Sequence, residues 1–383
     1  MDVRIAIFTD TYSPEINGVA KTLQRLTGYL ERNQIEFKVF APDGKTSVPA
    51  VGQIERFASL PFLFYPECRI ALPNPSHIKQ SLEQFKPTLI HVATPLNLGL
   101  YGLHYGKKHH IPMVASYHTH FDDYLHYYHI PFLQKWLWKY MIWFHRSFER
   151  IYVPSESTRD KLSNHSFHED LEIWGRGIDH TYYTPIKKTD EIRQKYQISQ
   201  SKILLYVGRI APEKEVDIAI RTFHSLPRHI KDDTHLLIVG DGPQLKLWSG
   251  HQNEQMTFTG FLEGEQLANV YASSDLFLFP SSTETFGNVV LEAMASGLPV
   301  IGANAGGVQH LIDHGKTGYL CKTRDVKDFT KHTAMLLDDH SRRNQFAKAA
   351  RQFALTKSWD EIFAQLLISY YEVIKRNVKL HSA

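Results

Sequence analysis

Residues 276–303 read LFLFPSSTETFGNVVLEAMASGLPVIGA. The apolar run 276–280 has the length of a buried strand, and the run 299–302 has it again. Between them a polar loop leads into a helical stretch from about 288 to 296, which Gly297 stops. Strand, helix and strand in that succession need a crossover connection, and crossovers build parallel sheets covered on both faces. The same stretch carries Glu284 in its loop and Glu292 a little over one turn into its helix.

The alternation extends outward to both ends of the chain. Upstream, apolar runs at 203–208, 236–240 and 257–260 complete a set with 276–280, 299–302 and 319–321. The first half offers 3–9, 37–41, 89–94, 113–117 and 151–154. Val19, Leu23, Leu26 and Leu30 mark one helical face between the first two. There are strands enough for two doubly wound α/β domains, as a 383-residue chain leads one to expect. The prolyl, polar stretch 183–188 reads as the link, giving domains at 1–183 and 184–358. Such sheets bind ligands beyond the carboxyl ends of their strands, and two domains facing each other would share one cleft.

Composition excludes several classes. A net charge of +3 carries no nucleic-acid-like excess of basic residues. The two cysteines, Cys68 and Cys321, stand outside any familiar metal-ligand spacing and suggest a reducing compartment. The opening MDVRIAIFTD runs straight into a strand pattern, unlike a secretory signal, and no apolar stretch is long enough to span a bilayer. A cytoplasmic enzyme, able to sit peripherally on the inner face of the cell membrane, is the expectation.

Four loops after strands carry the chemistry. The first, 10–18, ends on Gly18 at a helix entrance, where backbone amides favour an anion; the same glycine would also serve a plain turn. It lacks the G-x-G-x-x-G fingerprint of nicotinamide and flavin proteins. The second, 208–214, sets Arg209 and Lys214 on a proline-stiffened turn, a fork and a point charge suited to a diphosphate. The third holds Glu284, the amides of Phe286, Gly287 and Asn288 at a helix start, and Glu292 in an otherwise apolar helix. Acids beside amides suit a polyhydroxylated, anionic ligand. The fourth, 115–120, brings His118 to a strand end, a place that suits a ligand contact and a structural histidine alike.

Together these residues resemble glycosyltransferase family 4, retaining enzymes of the GT-B fold with two facing Rossmann-like domains. The signature is ETFGNVVLEAMASGLPVI at 284–301, with GRIAPEK upstream and Gly306 and Gly307 downstream. The resemblance implies that Arg209 and Lys214 hold the donor diphosphate with Gly18 opposite. It implies further that Glu284 and the following amides grip the donor sugar, Glu292 takes the ribose hydroxyls, and His118 faces the sugar. It also implies a last helix, about 359–376, crossing back onto the first domain. YHTHFDDYLHYY at 117–128 and IWGRGID at 173–179 look closest to glycolipid-forming mannosyltransferases and sulfoquinovosyltransferases. Arg176 stands where many relatives carry an asparagine, so their substrate rules do not transfer through that loop.

The segment 131–148 interleaves Trp136, Trp138, Tyr140, Trp143 and Phe144 with Lys135, Lys139 and Arg146. Aromatic and basic side chains together suit the headgroup level of an anionic membrane, and a helix packed on its own domain would read the same way. The expectation is a metal-independent hexosyltransferase using a UDP- or GDP-linked sugar and a membrane lipid or glycolipid acceptor. No Asp-x-Asp pair stands in a strand-end loop, and Asp122-Asp123 and Asp338-Asp339 read as solvated loops or helix ends. No resident cofactor is implied. The alternatives are the same donor chemistry on a soluble sugar or cell-wall precursor, and a non-catalytic nucleotide-sugar sensor.

Overall fold

A computed structural model of the chain describes residues 3–15, 17–43, 53–61, 69–120, 131–250 and 252–382. The chain divides into two units. The first comprises Met1–Leu125, Ile130–Gly175 and Asp360–Ala383; the second comprises His126–His129 and Arg176–Trp359. The division falls at Gly175, ahead of the link expected at 183–188. That stretch is packed within the second unit: Arg351 donates to the carbonyl oxygens of His180 and Tyr183, and Thr189 N–H to Ser273. Its prolines shape a wall of the domain instead of a free linker.

Among the described residues, the first unit holds a seven-stranded parallel sheet in the order β3-β2-β1-β6-β7-β8-β9. The strands are β1 (Arg4–Phe8), β2 (Glu36–Pro42), β3 (Ile54–Phe57), β6 (Leu89–Val92), β7 (Met113–Ser116), β8 (Arg150–Val153) and β9 (Leu171–Ile173). A small antiparallel pair, β4 (Ser59–Pro61) and β5 (Arg69–Ala71), lies beside it. The inner strands β6, β7 and β8 are buried along their whole length, as a sheet covered on both faces demands. Phe8 and Phe40 stack at 4.6 Å in the core. The edge strands β3 and β9 and the β4–β5 pair were not expected. The runs of β3 and β9 are short and half-exposed, and β4 and β5 are only three residues each, so none carries an apolar signal of strand length.

The helix Trp359–Ser382 is longer than expected, and from Asp360 it belongs to this first unit. Its Tyr370 hydroxyl meets His91 Nδ1 at 2.7 Å, and its Ser369 accepts from Arg150 at 2.7 Å. Arg150 also pairs with Asp170, Glu172 and Glu372.

Among the described residues, the second unit holds a six-stranded parallel sheet in the order β12-β11-β10-β13-β14-β15. These strands are β10 (Lys202–Val207), β11 (Thr234–Val239), β12 (Met256–Gly260), β13 (Leu276–Phe279), β14 (Val300–Ala303) and β15 (Gly318–Cys321). Each lies within a residue or two of an apolar run read from the sequence. The helix Asn288–Ala295 joins β13 to β14 and buries Val290, Leu291, Ala293, Met294 and Ala295.

In both sheets the chain starts in the middle, builds outward to one edge, then returns to build the other. The order reverses between β1 and β6 in the first unit and between β10 and β13 in the second. Loops leaving the two strands at such a point diverge and open a crevice at their carboxyl ends. Each unit therefore has one topologically favoured place for a ligand.

Candidate functional site

At the reversal point of the second unit, two of the loops singled out in the sequence meet. Lys214 follows β10 and Glu284 follows β13; Lys214 Nζ lies 2.5 Å from Glu284 Oε1. Arg209 Nη1 stands 3.7 Å from the carboxylate of Glu213. Glu213 is 1% exposed, and its buried negative charge keeps Arg209 at the strand end. Hydroxyl-to-backbone bonds lock the two loops together: the Glu213 carbonyl accepts from Ser281 Oγ at 3.3 Å and Thr283 Oγ1 at 3.0 Å. Beneath them the buried Tyr206 hydroxyl lies 3.3 Å from the Arg209 carbonyl oxygen and 3.4 Å from that of Lys214. Glu213 was missed as a functional candidate, although its place between Pro212 and Lys214 in a two-cation loop was the available signal.

The third loop owes its shape to glycines. Gly307 N–H donates to the Glu284 carbonyl at 2.7 Å. A Cβ on Gly306 would fall 2.4 Å from that carbonyl oxygen, so only glycine lets the segment after β14 lie against Glu284. Gly287 caps the helix Asn288–Ala295 with φ +99°, a conformation open to glycine and closed to most side chains, and no side chain caps this helix start. Phe286, Gly287 and Asn288 thus present backbone at a helix N-terminus beside Glu284. Farther along, Glu292 Oε2 accepts from the hydroxyl of the fully buried Tyr271 at 3.0 Å, which fixes the carboxylate's direction. Burial and this neighbouring acid together hold the Tyr271 phenol well above its usual range.

At the reversal point of the first unit the chemistry differs. Asp10, at the end of β1, accepts from Thr94 Oγ1 at 2.7 Å and from Leu98 N–H at 3.2 Å. Burial outweighs these bonds and pushes its carboxyl up to about 7. Asp10 is not legible as a candidate in the sequence, because one acid after a strand carries no signal until the sheet order is known. Gly18 opens the helix Gly18–Arg32 and is exposed; its neighbour Asn17 caps that helix through Val19 N–H and Ala20 N–H. His118, just past β7, is half-buried with its ring 5.7 Å from that of Trp174. Arg176, in the second unit, is buried, and desolvation lowers its guanidinium to about 10. The fold thus gathers Arg209, Lys214, Glu284 and Glu292 in one unit and leaves Gly18 and His118 in the other.

The aromatic and basic segment forms the helix Gln134–His145 in the first unit. Its inner side is fixed by buried Met141 and Phe144, by Tyr140 donating to the Pro95 carbonyl, and by Trp138 stacked on His165 at 4.0 Å. Its outer side carries Trp136 and Trp143, 77% and 57% exposed, among the exposed Lys135, Lys139 and Arg146. Residues 121–128, part of the glycolipid-like motif, and Asp122-Asp123 lie outside the described residues. Asp338 ends the helix Val326–Asp338, and Asp339 caps the helix His340–Leu355 through Arg342 N–H. No helix among the described residues is long and apolar enough to cross a membrane.

Residues 16–182 match the family model described as Glycosyltransferase Family 4, and residues 188–353 match that described as Glycosyl transferases group 1. The GDP-mannose-dependent alpha-mannosyltransferase of Corynebacterium glutamicum is 32% identical across 97% of this chain and 89% of its own length. The alpha-monoglucosyldiacylglycerol synthase of Streptococcus pneumoniae is 31% identical across 78% of this chain and 70% of its own. Among solved structures, the sucrose-phosphate synthase of Thermosynechococcus elongatus superposes with a TM-score of 0.79 at 18% identity, covering 98% of this chain and all of that one. At that identity the likeness carries the fold.

Proposed function

The chain belongs to glycosyltransferase family 4, and from that premise we propose that it moves a hexose from a nucleoside diphosphate to a lipid or glycolipid acceptor with retention at the anomeric carbon. The observation that carries this reading is the meeting of Arg209, Lys214 and Glu284 where the second sheet reverses. A departing diphosphate gathers negative charge as the glycosidic bond breaks, and cations already held in place stabilise it without reorganisation. Arg209, steadied by Glu213, and Lys214 are those cations. When the donor enters, Lys214 exchanges the Glu284 carboxylate for phosphate, and Glu284 turns to the sugar hydroxyls. The backbone of Phe286, Gly287 and Asn288 holds the sugar's far oxygens, and Glu292, aimed by Tyr271, takes the ribose. The leaving phosphate takes the acceptor's proton on the face it departs from, so no protein nucleophile is invoked.

The acceptor reading rests on the outward Trp136 and Trp143 set among Lys135, Lys139 and Arg146. The pneumococcal relative is named for a diacylglycerol product, and the corynebacterial one for GDP-mannose. Each basic residue near an anionic surface contributes about 1 kcal/mol, so the three supply roughly 3 kcal/mol, enough for reversible docking. The enzyme should sediment with anionic vesicles at low salt and release at high salt, as screening requires. It should then transfer mannose from GDP-mannose, or a hexose from a UDP-sugar, to a lipid acceptor in those vesicles. Replacing the three cations with Gln should abolish sedimentation and leave nucleotide binding unchanged. Absence of vesicle binding at every salt concentration, or transfer to soluble sugars alone, would overturn the lipid assignment.

A further inference from the structure

Away from the reversal point, β15 and the helix that follows it bring three metal-ligating side chains together. Cys321 ends β15, and the four residues 322–325 turn the chain into the helix Val326–Asp338. One turn of that helix separates Asp328 from His332, so both side chains lie on one face, toward the strand end. Cys321 Sγ lies 3.6 Å from His332 Nδ1, and His332 Nδ1 lies 3.1 Å from Asp328 Oδ1. All three ligand atoms fall within 4.8 Å of one another.

We propose that Cys321, Asp328 and His332 form a binding site for one divalent ion of zinc's class. Zinc bonds of about 2.3 Å to sulfur and about 2.0 Å to nitrogen or oxygen put neighbouring ligand atoms roughly 3.3–3.6 Å apart in a tetrahedron. The distances from His332 Nδ1 to sulfur and to the carboxylate are close to those edges, so the ion enters with little movement. The donor set is one sulfur, one nitrogen and one oxygen, which favours zinc or cobalt over the all-oxygen cations magnesium and calcium.

Neighbouring contacts orient the ligands. Asp328 Oδ2 accepts from Lys322 N–H at 2.9 Å, which turns Oδ1 toward His332. The His332 ring is held against the Tyr319 ring at 4.6 Å. The sulfur is fully buried while His332 and Asp328 keep 12% and 30% of their side chains exposed, which leaves an entry path and a fourth position for water. Cys-x6-Asp-x3-His matches no familiar metal-ligand spacing, which is why the sequence alone did not raise it.

Coordination has a definite proton balance. Nδ1 of His332 now faces the Asp328 carbonyl oxygen at 3.0 Å as well as Oδ1, so it carries the ring proton. When Nδ1 binds the ion that proton moves to Nε2, and the imidazole stays neutral. The Cys321 thiol gives its proton to solvent and binds as thiolate. Binding therefore releases one proton per ion.

The test uses the purified full chain, stripped with chelator and titrated with cobalt(II). The expected result is one equivalent bound with a sulfur-to-cobalt charge-transfer band, displaced by zinc, and one proton released to a weakly buffered solution. Cys321→Ser should lose the band and His332→Gln should weaken binding at least tenfold. Cys68→Ser, which changes the only other cysteine, should keep both. Zinc should raise the melting temperature of the wild type and leave that of His332→Gln unmoved. No charge-transfer band in the wild type, or a band surviving in Cys321→Ser, would overturn the proposal. If Cys321→Ser fails to fold, unchanged cobalt affinity in His332→Gln overturns it equally.

Discussion

The two sheets reverse in the same way, yet their reversal points carry opposite electrostatics. In the second unit Arg209, Lys214, Glu213 and Glu284 stand within two interlocked loops, with the ion pairs at 3.7 and 2.5 Å. In the first unit the corresponding point holds Asp10, buried and pushed up to about 7, beside the neutral hydroxyl of Thr94. In the core of the same unit His91, in contact with Ser116 and Tyr370, is driven by burial down to about 3 and stays uncharged. One topology supplies a crevice in each unit, and side-chain charge then decides what each crevice suits. The first holds paired charges of both signs, and the second a carboxyl that burial pushes up to about 7.

The comparison breaks most readily at the cations. Arg209→Ala or Lys214→Ala should each lower turnover about a hundredfold or more with the fold intact, the scale of losing one preorganised donor to a developing anion. Steady-state transfer rates beside circular dichroism check this. Near-wild-type turnover in either variant would remove the distinction between the crevices.

Much of this contrast was legible in the sequence, and the reasons are local. The stretch 276–303 carries its strand, its loop, its helix stop and both acids in one continuous run. GRIAPEK at 208–214 likewise keeps strand end and cations together. What escaped depends on contacts between distant residues. Asp10 acquires its character from Thr94 and Leu98, and Glu213 from Arg209 together with a loop some 70 residues away. The boundary at Gly175 escaped because Tyr183 and its neighbours are held by Arg351. The aromatic segment 131–148 allowed two readings because inward and outward tryptophans look alike in sequence. The structure sorts Trp138 inward and Trp136 and Trp143 outward.

A smaller effect separates Glu292 from those pairs. Glu292→Gln should weaken nucleoside diphosphate binding by roughly ten- to a hundredfold, the loss of one charged hydrogen bond of about 1.5–3 kcal/mol. Isothermal titration reads it directly. An unchanged affinity would mean that Glu292 serves Tyr271 and the fold instead of the ribose.

The smallest effect concerns two buried groups of the first unit. A buried His91 held near 3, against about 6.5 when unfolded, gives stability that is complete above pH 6.5 and falls as pH drops toward 3. Asp10, raised to about 7 from 3.8, acts with the opposite sign: its contribution is full below pH 3.8 and is lost as pH rises toward 7. Between about pH 4 and 6.5 the two oppose each other. Asp10→Asn should make denaturant stability fall more steeply on acidification, and His91→Gln should make it fall less steeply. Parallel slopes in all three proteins would show that burial does not shift these two groups as described.

The most direct test of the account lies in the exchange of partners at Lys214. Calorimetric titration of GDP and UDP into the wild type, Lys214→Ala and Glu284→Gln separates the pair. One of the two nucleotides should bind, Lys214→Ala should weaken it at least tenfold, and Glu284→Gln should bind it about as tightly as the wild type while losing sugar transfer. Affinity lost equally in both variants, or in Glu284→Gln alone, would contradict a lysine that leaves its carboxylate for the diphosphate.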